Sequence, residues 1–533
     1  MVDMTTCPTF ARGAGDPAQR DAGRRAIGDH RTVSPVRSDI ELRADVVIVG
    51  AGAAGAAAAL EVVAAGGSFV GLDRLDAFGG TATTSGGGVC VGGTSFQRSR
   101  GVADSPGLAL RDHLDVADGL AHDAWARFYY ERAVEDVFEW LVGLGVEFVT
   151  LHDHEETSVA RWHGPRDSGR GLMSAMIRAL EARRMADDWS YGVTVDELIV
   201  EGMRVVGVAG SAADGGRVVA RGRAVVLATG GFAGSYEEVL RLAPALRGAE
   251  RVLVGGGAGA VGLGHRLVAG IGAAFEGLDR LWIYAHATPD PRDASGRRGL
   301  VLRGLESAIW VNRAGLRFHD ESLVGPGSAT PALLAQEGAT CWAILDRPML
   351  ERIRIADPRF RDYATRVAAI EGLVVESPDI AVADSATDLA RAAGIEAGAF
   401  ARTFEAWNAL LESAADAGVD PDTGRRLAGV VPFSGPPYYA IRFVPLVRKN
   451  LGGVRTDLRG RVLGGDERPI PGLYAAGELA GFGGGHLAGR RAPEGIMLGG
   501  SLFGGRVAGT WAAAEAGRGG LRARWGGETG SGA

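Results

Sequence analysis

Three glycines and one aspartate near the N-terminus have the spacing of a dinucleotide site. Gly50, Gly52 and Gly55 form the pattern G-x-G-x-x-G, and Asp73 ends the next apolar run. The first glycine permits a tight turn, the second lets a pyrophosphate approach the backbone, and the third lets a helix pack closely on a strand. A carboxylate at the position of Asp73 can accept hydrogen bonds from ribose hydroxyls. The pattern predicts nucleotide binding.

The segments around these residues have the patterns of the elements that must position them. Asp45 to Val49 is a β-branched run, which is typical of a buried parallel strand. An alanine-rich helix follows and is expected to stop at Gly66 and Gly67, and Ser68 to Leu72 forms a second strand. The N-terminus of that helix would present free N–H groups to phosphates. Strand, helix, strand and acid fall in register, which predicts a βαβ unit.

A second glycine motif leaves an alternative open. Gly257, Gly259 and Gly262 also follow a short apolar run, so that this segment could form an NAD(P) site. Its strand character is weaker, and the chain contains 84 glycines among 533 residues, so a chance match is common. We expect one nucleotide site, at the first motif.

Composition excludes several classes of protein. The formal net charge of −7 comes with mixed signs along the chain, which argues against nucleic-acid binding. The three cysteines, Cys7, Cys90 and Cys341, form no CxxC motif, so neither a metal cluster nor an attached haem is expected. The apolar stretch from Val46 to Leu60 is too short to span a membrane. These features predict a cytoplasmic enzyme without metal.

Four further motifs occur in a characteristic order. They are AFGGTATTSGGG (Ala77 to Gly88), AVVLATGGF (Ala224 to Phe232), PIPGLYAAGE (Pro469 to Glu478) and LGGSLFGGRVAG (Leu498 to Gly509). Together with the first glycine motif they resemble the fumarate reductase and 3-ketosteroid dehydrogenase superfamily of FAD-dependent oxidoreductases. The resemblance runs from about residue 43 to residue 512 and implies FAD at the N-terminal site.

The resemblance implies non-covalent FAD, because relatives with covalent flavin carry a histidine in the 79–88 loop and this chain has none there. It places the nucleotide on the first motif, the flavin against Met497 and Leu498, and Glu478 on the ribityl hydroxyls. The residues implied in FAD binding are Gly50, Gly52, Ala53, Ala54, Gly55, Asp73, Arg74, Gly79, Gly80, Thr81, Ser85, Gly86, Gly87, Val193, Ala228, Thr229, Gly230, Gly477, Glu478, Met497 and Leu498.

The same resemblance implies an α/β fold with two domains. A Rossmann-like FAD-binding domain would be discontinuous and comprise residues 41–290 and 438–515. An α+β capping domain would be inserted as residues 291–437 and would close over the flavin. Residues 1–40 are expected to form a disordered tail, and residues 516–533 a flexible one.

Family members move a hydride between flavin N5 and a carbon next to a carbonyl or carboxylate, so they need an oxygen clamp and a proton carrier. The resemblance makes Arg491 the first candidate for the substrate oxygen, with Gly495 supplying an N–H group. His286 and Arg448 align with substrate-binding positions. Two further candidates, Glu494 and Tyr439, are weighed as acid or base, although each could equally brace or pack.

One catalytic position departs from the family. The segment VNRAGLRFHDES (Val311 to Ser322) matches a family motif, and a proton-donating arginine or a tyrosine follows it in relatives. That position is Gly325 here, so the proton carrier is unassigned. The segment HDHEET (His152 to Thr157) is interpreted as a solvated loop rather than a metal site.

The expected function is an FAD-dependent dehydrogenase that introduces a C=C bond α,β to a carbonyl or carboxylate. A fumarate-reductase-like ene-reductase is the alternative, and a flavin-binding protein without catalysis is the second alternative. The expected partners are a small carbonyl or carboxylate substrate and a diffusible electron acceptor or donor, with no nucleic acid and no membrane.

Overall fold

A six-stranded sheet forms the centre of the protein. The computed structural model describes residues 39–518, except 184–187, 356, 361, 363 and 415–417, so both predicted tails lie almost entirely outside the described residues. In spatial order the strands of this central sheet are Arg461–Leu463, Pro469–Ala475, Ala224–Leu227, Val46–Val49, Phe69–Leu72 and Trp189–Ser190. All neighbouring pairs are parallel except the first. Val46–Val49 is buried throughout, because helices cover one of its faces and a neighbouring four-stranded sheet covers the other.

Two helices pack against each other over the central sheet. The first helix, Ala53–Ala64, confirms the expected alanine-rich helix, and the last helix is Ile496–Glu515. Their backbones touch at glycines: a Cβ atom added to Gly505 would overlap the carbonyl oxygen of Ala54, and one added to Gly509 would overlap that of Ala58. Small residues on both helices are therefore required for this approach.

A buried arginine fixes the register of this helix pair. The Arg506 guanidinium, fully buried, donates to Glu61 Oε1 on the first helix at 2.5 Å and to Asp136 Oδ1 at 3.2 Å. Asp136 lies in the π-helical turn Val134–Glu139. Three segments distant in sequence thus share one charge network, and its disruption would leave uncompensated buried charge.

The remaining sheets are small. Next to the central sheet lies a four-stranded sheet of Ile40–Arg43, Arg217–Arg221, Arg204–Ala212 and Val193–Glu201. The described residues also form three sheets of three strands and one sheet of two strands. They are Leu253–Val254 with Leu446–Asn450 and Leu281–Tyr284; Val89–Cys90 with Trp162–Pro165 and Phe148–His152; Ala287–Pro289 with Gly299–Arg303 and Arg354–Ile355; and Phe275–Glu276 with Gly453–Val454.

A second hydrophobic core forms between residues 285 and 443. Its antiparallel sheet, here called the second sheet, has the order Ile309–Val311, Cys341–Leu345, Tyr438–Phe443 and Ile380–Ala383. Trp310, Phe400, Trp407 and Phe443 are fully buried in this core. Nearby, buried Glu321 accepts from Arg425 and Arg317, each at 2.7 Å.

The other described helices range from single turns to the 18-residue helix Ala397–Ala414. The α-helices besides the first and the last are Gly80–Thr84, Ser95–Ser99, Pro106–Val116, Asp123–Ala133, Trp140–Gly143, Ser168–Glu181, Tyr236–Leu242, Leu263–Ala269, Ala329–Leu334, Arg347–Leu350, Arg366–Glu376, Ala386–Ala393 and Ala397–Ala414. Turns of 3₁₀ helix occur at Pro244–Gly248, Glu337–Ala339, Pro358–Phe360 and Gly477–Ala480. Within the described part of the chain, no helix combines the length and apolarity needed to cross a membrane.

The helix contact makes a prediction for two glycines of one helix. Gly509→Ala is expected to lower the free energy of unfolding by about 2 kcal/mol, because overpacking against a backbone costs up to about 3 kcal/mol while the helix propensity of alanine returns about 1 kcal/mol. Gly504→Ala is the control, since the nearest atom to its added Cβ is Ala476 Cβ at 3.9 Å. Chemical denaturation of both variants measures the difference, and equal stabilities would contradict the packing argument.

Candidate active site

The first glycine motif forms a loop that leaves one side open. Gly50 has a φ of +109°, and a Cβ there would overlap the Ala228 carbonyl oxygen, while a Cβ on Gly55 would overlap the Gly50 carbonyl oxygen. A Cβ on Gly52 would instead meet no atom within 4 Å. Gly52 is also the N-cap of the first helix and makes no side-chain cap. The loop therefore offers open space next to helix N–H groups, which suits a pyrophosphate.

Asp73 holds the edge of this loop. Its carboxylate accepts from Ala51 N at 2.6 Å and from Leu75 N at 2.8 Å, and burial raises its pKa. The Val193 N–H donates to the Asp73 carbonyl at 2.9 Å, so the predicted adenine residue starts its strand beside the predicted ribose residue. A carboxylate oxygen has two lone pairs, so each retains capacity for a ribose hydroxyl.

The 79–88 segment closes over the glycine loop. Gly79 has a φ of +117° and donates its N–H to Ala51 O at 2.9 Å, and the short helix Gly80–Thr84 follows. A Cβ on Gly80 would lie 3.4 Å from Gly52 Cα. Gly87, with a φ of +75°, packs on the N-terminus of the helix Ser168–Glu181. Ser85 and Gly86 lie between these points.

The second glycine motif packs against residues 74–81, beside the first motif. A Cβ on Gly257 would overlap the Thr81 hydroxyl, and a Cβ on Gly259 would lie 3.4 Å from Leu75 Cδ1. Arg74 donates to the Ala258 carbonyl at 2.8 Å. The segment thus packs on the first nucleotide loop instead of offering a separate one.

The far wall of the candidate cofactor site comes from the ends of two central strands. Ala228 N donates to Val49 O at 2.7 Å, and Thr229 and Gly230 follow, Gly230 with a φ of +74°. Gly477 and Glu478 follow the adjacent strand Pro469–Ala475. Burial raises the pKa of Glu478 to about 7, and its Oε1 accepts from Asn450 N at 3.1 Å.

The N-terminus of the last helix points into the same region. Gly495 is its N-cap, with a φ of +91° and no side-chain cap, and a Cβ there would lie 2.8 Å from Cys90 N and 3.0 Å from Trp162 Cδ1. Met497 is buried and Leu498 is partly exposed in the first turn. An uncapped helix N-terminus favours negative charge, as on a flavin carbonyl oxygen. These residues, with the open face at Gly52, fit FAD.

Four polar side chains lie beside Glu494 and form one group with it. This group, here called the polar cluster, consists of Tyr284, His286, Arg303, Lys449 and Glu494. The Tyr284 hydroxyl donates to Glu494 Oε1 at 3.0 Å, and the His286 ring lies 5.3 Å from the Tyr284 ring. Arg303 Cζ lies 5.9 Å from the Tyr284 ring. Lys449 pairs with Trp282 across two strands, and its Nζ lies 4.8 Å above that ring.

Burial and charge set the ionisation of this cluster. Burial lowers the pKa of His286 to about 3, so the imidazole is neutral at physiological pH. Neither His286 ring nitrogen has a hydrogen-bond partner among the described residues. Burial alone would raise the pKa of Glu494, but Lys449, Arg303 and His154 outweigh it and lower that pKa. Burial raises the pKa of Tyr284 to about 12, so it keeps its proton.

Three predicted site residues have other contacts. The Arg491 guanidinium donates to both carboxylate oxygens of Asp118, at 2.9 and 2.8 Å, and packs on Gly327. Arg448 donates to the Gly255 carbonyl oxygen. Tyr439 is buried in the second sheet, opposite Leu345, away from the polar cluster. The Asp118 pair is partly exposed, so little free energy is needed to release Arg491 toward a ligand.

Gly325 lies next to two glutamates, Glu155 and Glu156, that the sequence analysis did not identify as site residues. Gly325 N donates to Glu155 Oε1 at 2.6 Å. A Cβ on Gly325 would lie 2.8 Å from Glu155 Oε2 and 2.9 Å from Glu156 Oε1. No local pattern links positions so far apart in sequence. Tyr284 and Arg303 were also missed, because each ends a short strand without a motif.

The potential metal-ligating side chains of the described residues do not cluster. Among the residues that the structure describes, no three His, Cys, Asp or Glu side chains are grouped so as to hold a metal ion. His154 of the HDHEET segment instead lies with its ring 6.3 Å from Trp162.

A nucleotide loop that fits FAD, next to a cluster of polar side chains, is typical of flavin-dependent oxidoreductases. The chain belongs to the FAD binding domain family, whose model matches residues 45–497, and it is an FAD-dependent oxidoreductase acting on CH–CH groups. Its mixed helix and strand architecture is the FAD-binding fold shared with fumarate reductases and ketosteroid dehydrogenases. The cofactor predicted from the sequence and the family resemblance are both confirmed.

Three comparisons show how near its relatives are. A KsdD-like steroid dehydrogenase of Mycobacterium tuberculosis is 30% identical, over 90% of this chain and 97% of the relative. A fumarate reductase (cytochrome) of Shewanella frigidimarina is 29% identical, over 89% of this chain and 76% of the relative. The crystal structure of a 3-ketosteroid-Δ4-(5α)-dehydrogenase of Rhodococcus jostii superposes with a TM-score of 0.67 at 27% identity, covering 91% of this chain and 99% of that chain.

The open face of Gly52 makes a prediction that separates binding from folding. Gly52→Val is expected to weaken FAD binding at least tenfold while leaving the unfolding temperature of the FAD-free protein within about 2 °C, because the side chain enters space that only a ligand would fill. FAD titration by flavin fluorescence and thermal unfolding measure the two effects. Gly107→Val is the control, since Gly107 also faces open space but lies on another helix. Unchanged FAD affinity in Gly52→Val would refute the assignment.

Proposed function

We propose that this enzyme introduces a C=C bond α,β to a carbonyl or carboxylate, as a 3-ketosteroid-dehydrogenase-like FAD-dependent dehydrogenase. The polar cluster beside the N-terminus of the last helix carries the proposal. It combines a neutral histidine, a tyrosine bound to a carboxylate, and two cations, which together can polarise an oxygen and handle a proton. The steroid dehydrogenase relative supports the carbonyl class of substrate.

The domain organisation belongs to the same proposal. We infer a Rossmann-like FAD-binding domain of residues 41–290 and 438–515, with residues 291–437 inserted as an α+β capping domain. The parallel central sheet with its glycine loop supports the first, and the separate core between residues 285 and 443 supports the second. The chain leaves and returns at adjacent points, since Val444 N donates to Ala287 O at 3.0 Å.

Several side chains and one backbone N–H group would bind and polarise the substrate oxygen. FAD held by the glycine loop and the last helix would supply the hydride-accepting chemistry. His286 donates an N–H group to the substrate oxygen, because a neutral imidazole keeps one donor. Lys449 and Arg448 place positive charge near that oxygen, and Arg491, released from Asp118, would add a bidentate donor. The Gly495 N–H group supplies a further donor at the helix terminus.

A second candidate is reduction of an activated double bond in an unsaturated acid. The positive charges of Arg303 and Lys449 beside Glu494, with Arg448 acting on the neighbouring Tyr284, favour it, because they suit an anionic substrate. The fumarate reductase relative supports the same direction. A diffusible donor would then supply the electrons, whereas a dehydrogenase needs a diffusible acceptor.

Anaerobic bleaching of the flavin tests these proposals. Saturated ketones, cyclohexane carboxylates and 3-ketosteroids are added to the oxidised enzyme without oxygen. Loss of the oxidised-flavin absorbance with one class is the expected result for a dehydrogenase. Reoxidation of the reduced enzyme by enones or fumarate-like acids alone would replace it with the reductase, and no reaction in either direction would overturn the proposed substrate class.

The neutral histidine can be tested by a matched pair of variants. His286→Phe keeps the ring packing between Tyr284 and Trp310 but removes the N–H donor, so kcat/KM is expected to fall roughly 10- to 100-fold with FAD content unchanged. His265→Phe is the control. His265 is also buried, without a hydrogen-bond partner in the described chain, and packs between Phe232 and Phe275. Equal rates in both variants would exclude His286 from the reaction.

A further inference from the structure

The loop of residues 152–157 is fastened to the turn at residues 325–328. Glu155 accepts from Gly325 N at 2.6 Å and from the Ser328 hydroxyl at 2.8 Å. Both of its carboxylate oxygens are therefore engaged, one by the backbone of the turn and one by a side chain. This attachment brings the next residue, Glu156, to the same turn.

Glu156 occupies the space that a side chain at residue 325 would fill. A Cβ on Gly325 would lie 2.9 Å from Glu156 Oε1, which is tighter than a carbon and an oxygen tolerate without movement. The Glu156 side chain is buried at 8% exposure and makes no ion pair with any described residue. A buried carboxyl group without a cation at bonding distance has no evident structural purpose.

The charges around Glu156 join it to the polar cluster. Burial and the charges of Glu494 and Glu155 together raise its pKa to about 7, against the opposing effects of its own backbone N–H group and of Arg491. Glu494 stays ionised, and Tyr284 and His286 stay neutral near pH 7. Compared with these three groups, Glu156 is the one that can both release and take up a proton at neutral pH.

We propose that Glu156 is the proton carrier of the reaction, supplied by the 152–157 loop to a position that Gly325 leaves open. The inference rests on the proposed dehydrogenase or its reverse. In the dehydrogenase direction, the Glu156 carboxylate takes the proton from the α carbon, and the electron pair of that C–H bond becomes the π bond. The β carbon gives up a hydride with its electron pair to FAD, so atoms and electrons balance. In the reverse direction, the protonated carboxyl returns the proton to the α carbon.

Proton exchange in heavy water isolates this step from hydride transfer. The holoenzyme is first reduced with dithionite, so that the flavin has no capacity for a hydride, and is then incubated in D₂O with a saturated substrate found by the bleaching experiment. The wild type is expected to exchange the α hydrogen for deuterium, detected by mass spectrometry. Glu156→Gln is expected to slow exchange at least 100-fold with FAD content and unfolding temperature unchanged.

Asp153→Asn is the matched control, because it removes a carboxylate from an exposed residue of the same loop. Its exchange is expected to stay within tenfold of wild type and to rise with pH through a midpoint near 7, whereas Glu156→Gln should lose that dependence. If Glu156→Gln exchanges like the wild type, the proposal is overturned although the proposed function stands. A wild-type enzyme that neither bleaches nor reoxidises with any panel member overturns the function first, which keeps the two failures distinct.

Discussion

The contact between the first and the last helix is the constraint on which the site depends. One helix begins at the nucleotide loop and the other begins at Gly495, next to the polar cluster. Their close approach at Gly505 and Gly509, with Arg506 bridging to Glu61, sets the distance between the two ends of the cofactor site. A bound FAD would thus extend between two helix N-termini whose spacing is fixed by backbone contact rather than by flexible side chains.

Local patterns predicted the parts of the fold that depend on neighbours in sequence. The glycine loop, its two strands and the alanine-rich helix follow from residue spacing, because sterics and burial act within a few residues there. Nucleotide binding could be inferred for the same reason, whereas FAD itself was implied only by the family resemblance. The family resemblance then extended that inference to distant segments, such as those ending in Glu478 and beginning at Met497.

Contacts between distant segments were beyond such patterns. Arg491 was expected on a substrate oxygen, yet nothing in its own segment shows that Asp118 lies opposite it. Glu156 was expected in a solvated loop but is buried, because a run of polar residues looks the same whether it faces water or another part of the chain. Tyr439 was weighed as an acid or base, but the sheet register places it in the second core. Side-chain partners of this kind are set by tertiary packing, which one sequence does not reveal.

The absence of a side chain at residue 325 has an evolutionary consequence. Positions 156 and 325 share one volume, so that the benefit of a residue at either position depends on what occupies the other. Enlarging residue 325 alone would displace the Glu156 carboxyl, and shortening residue 156 alone would leave a cavity beside the polar cluster. Neither single step is neutral, and the two positions are therefore expected to change together in descendants of this lineage. Such sign epistasis would preserve the present arrangement long after the selection that produced it had relaxed.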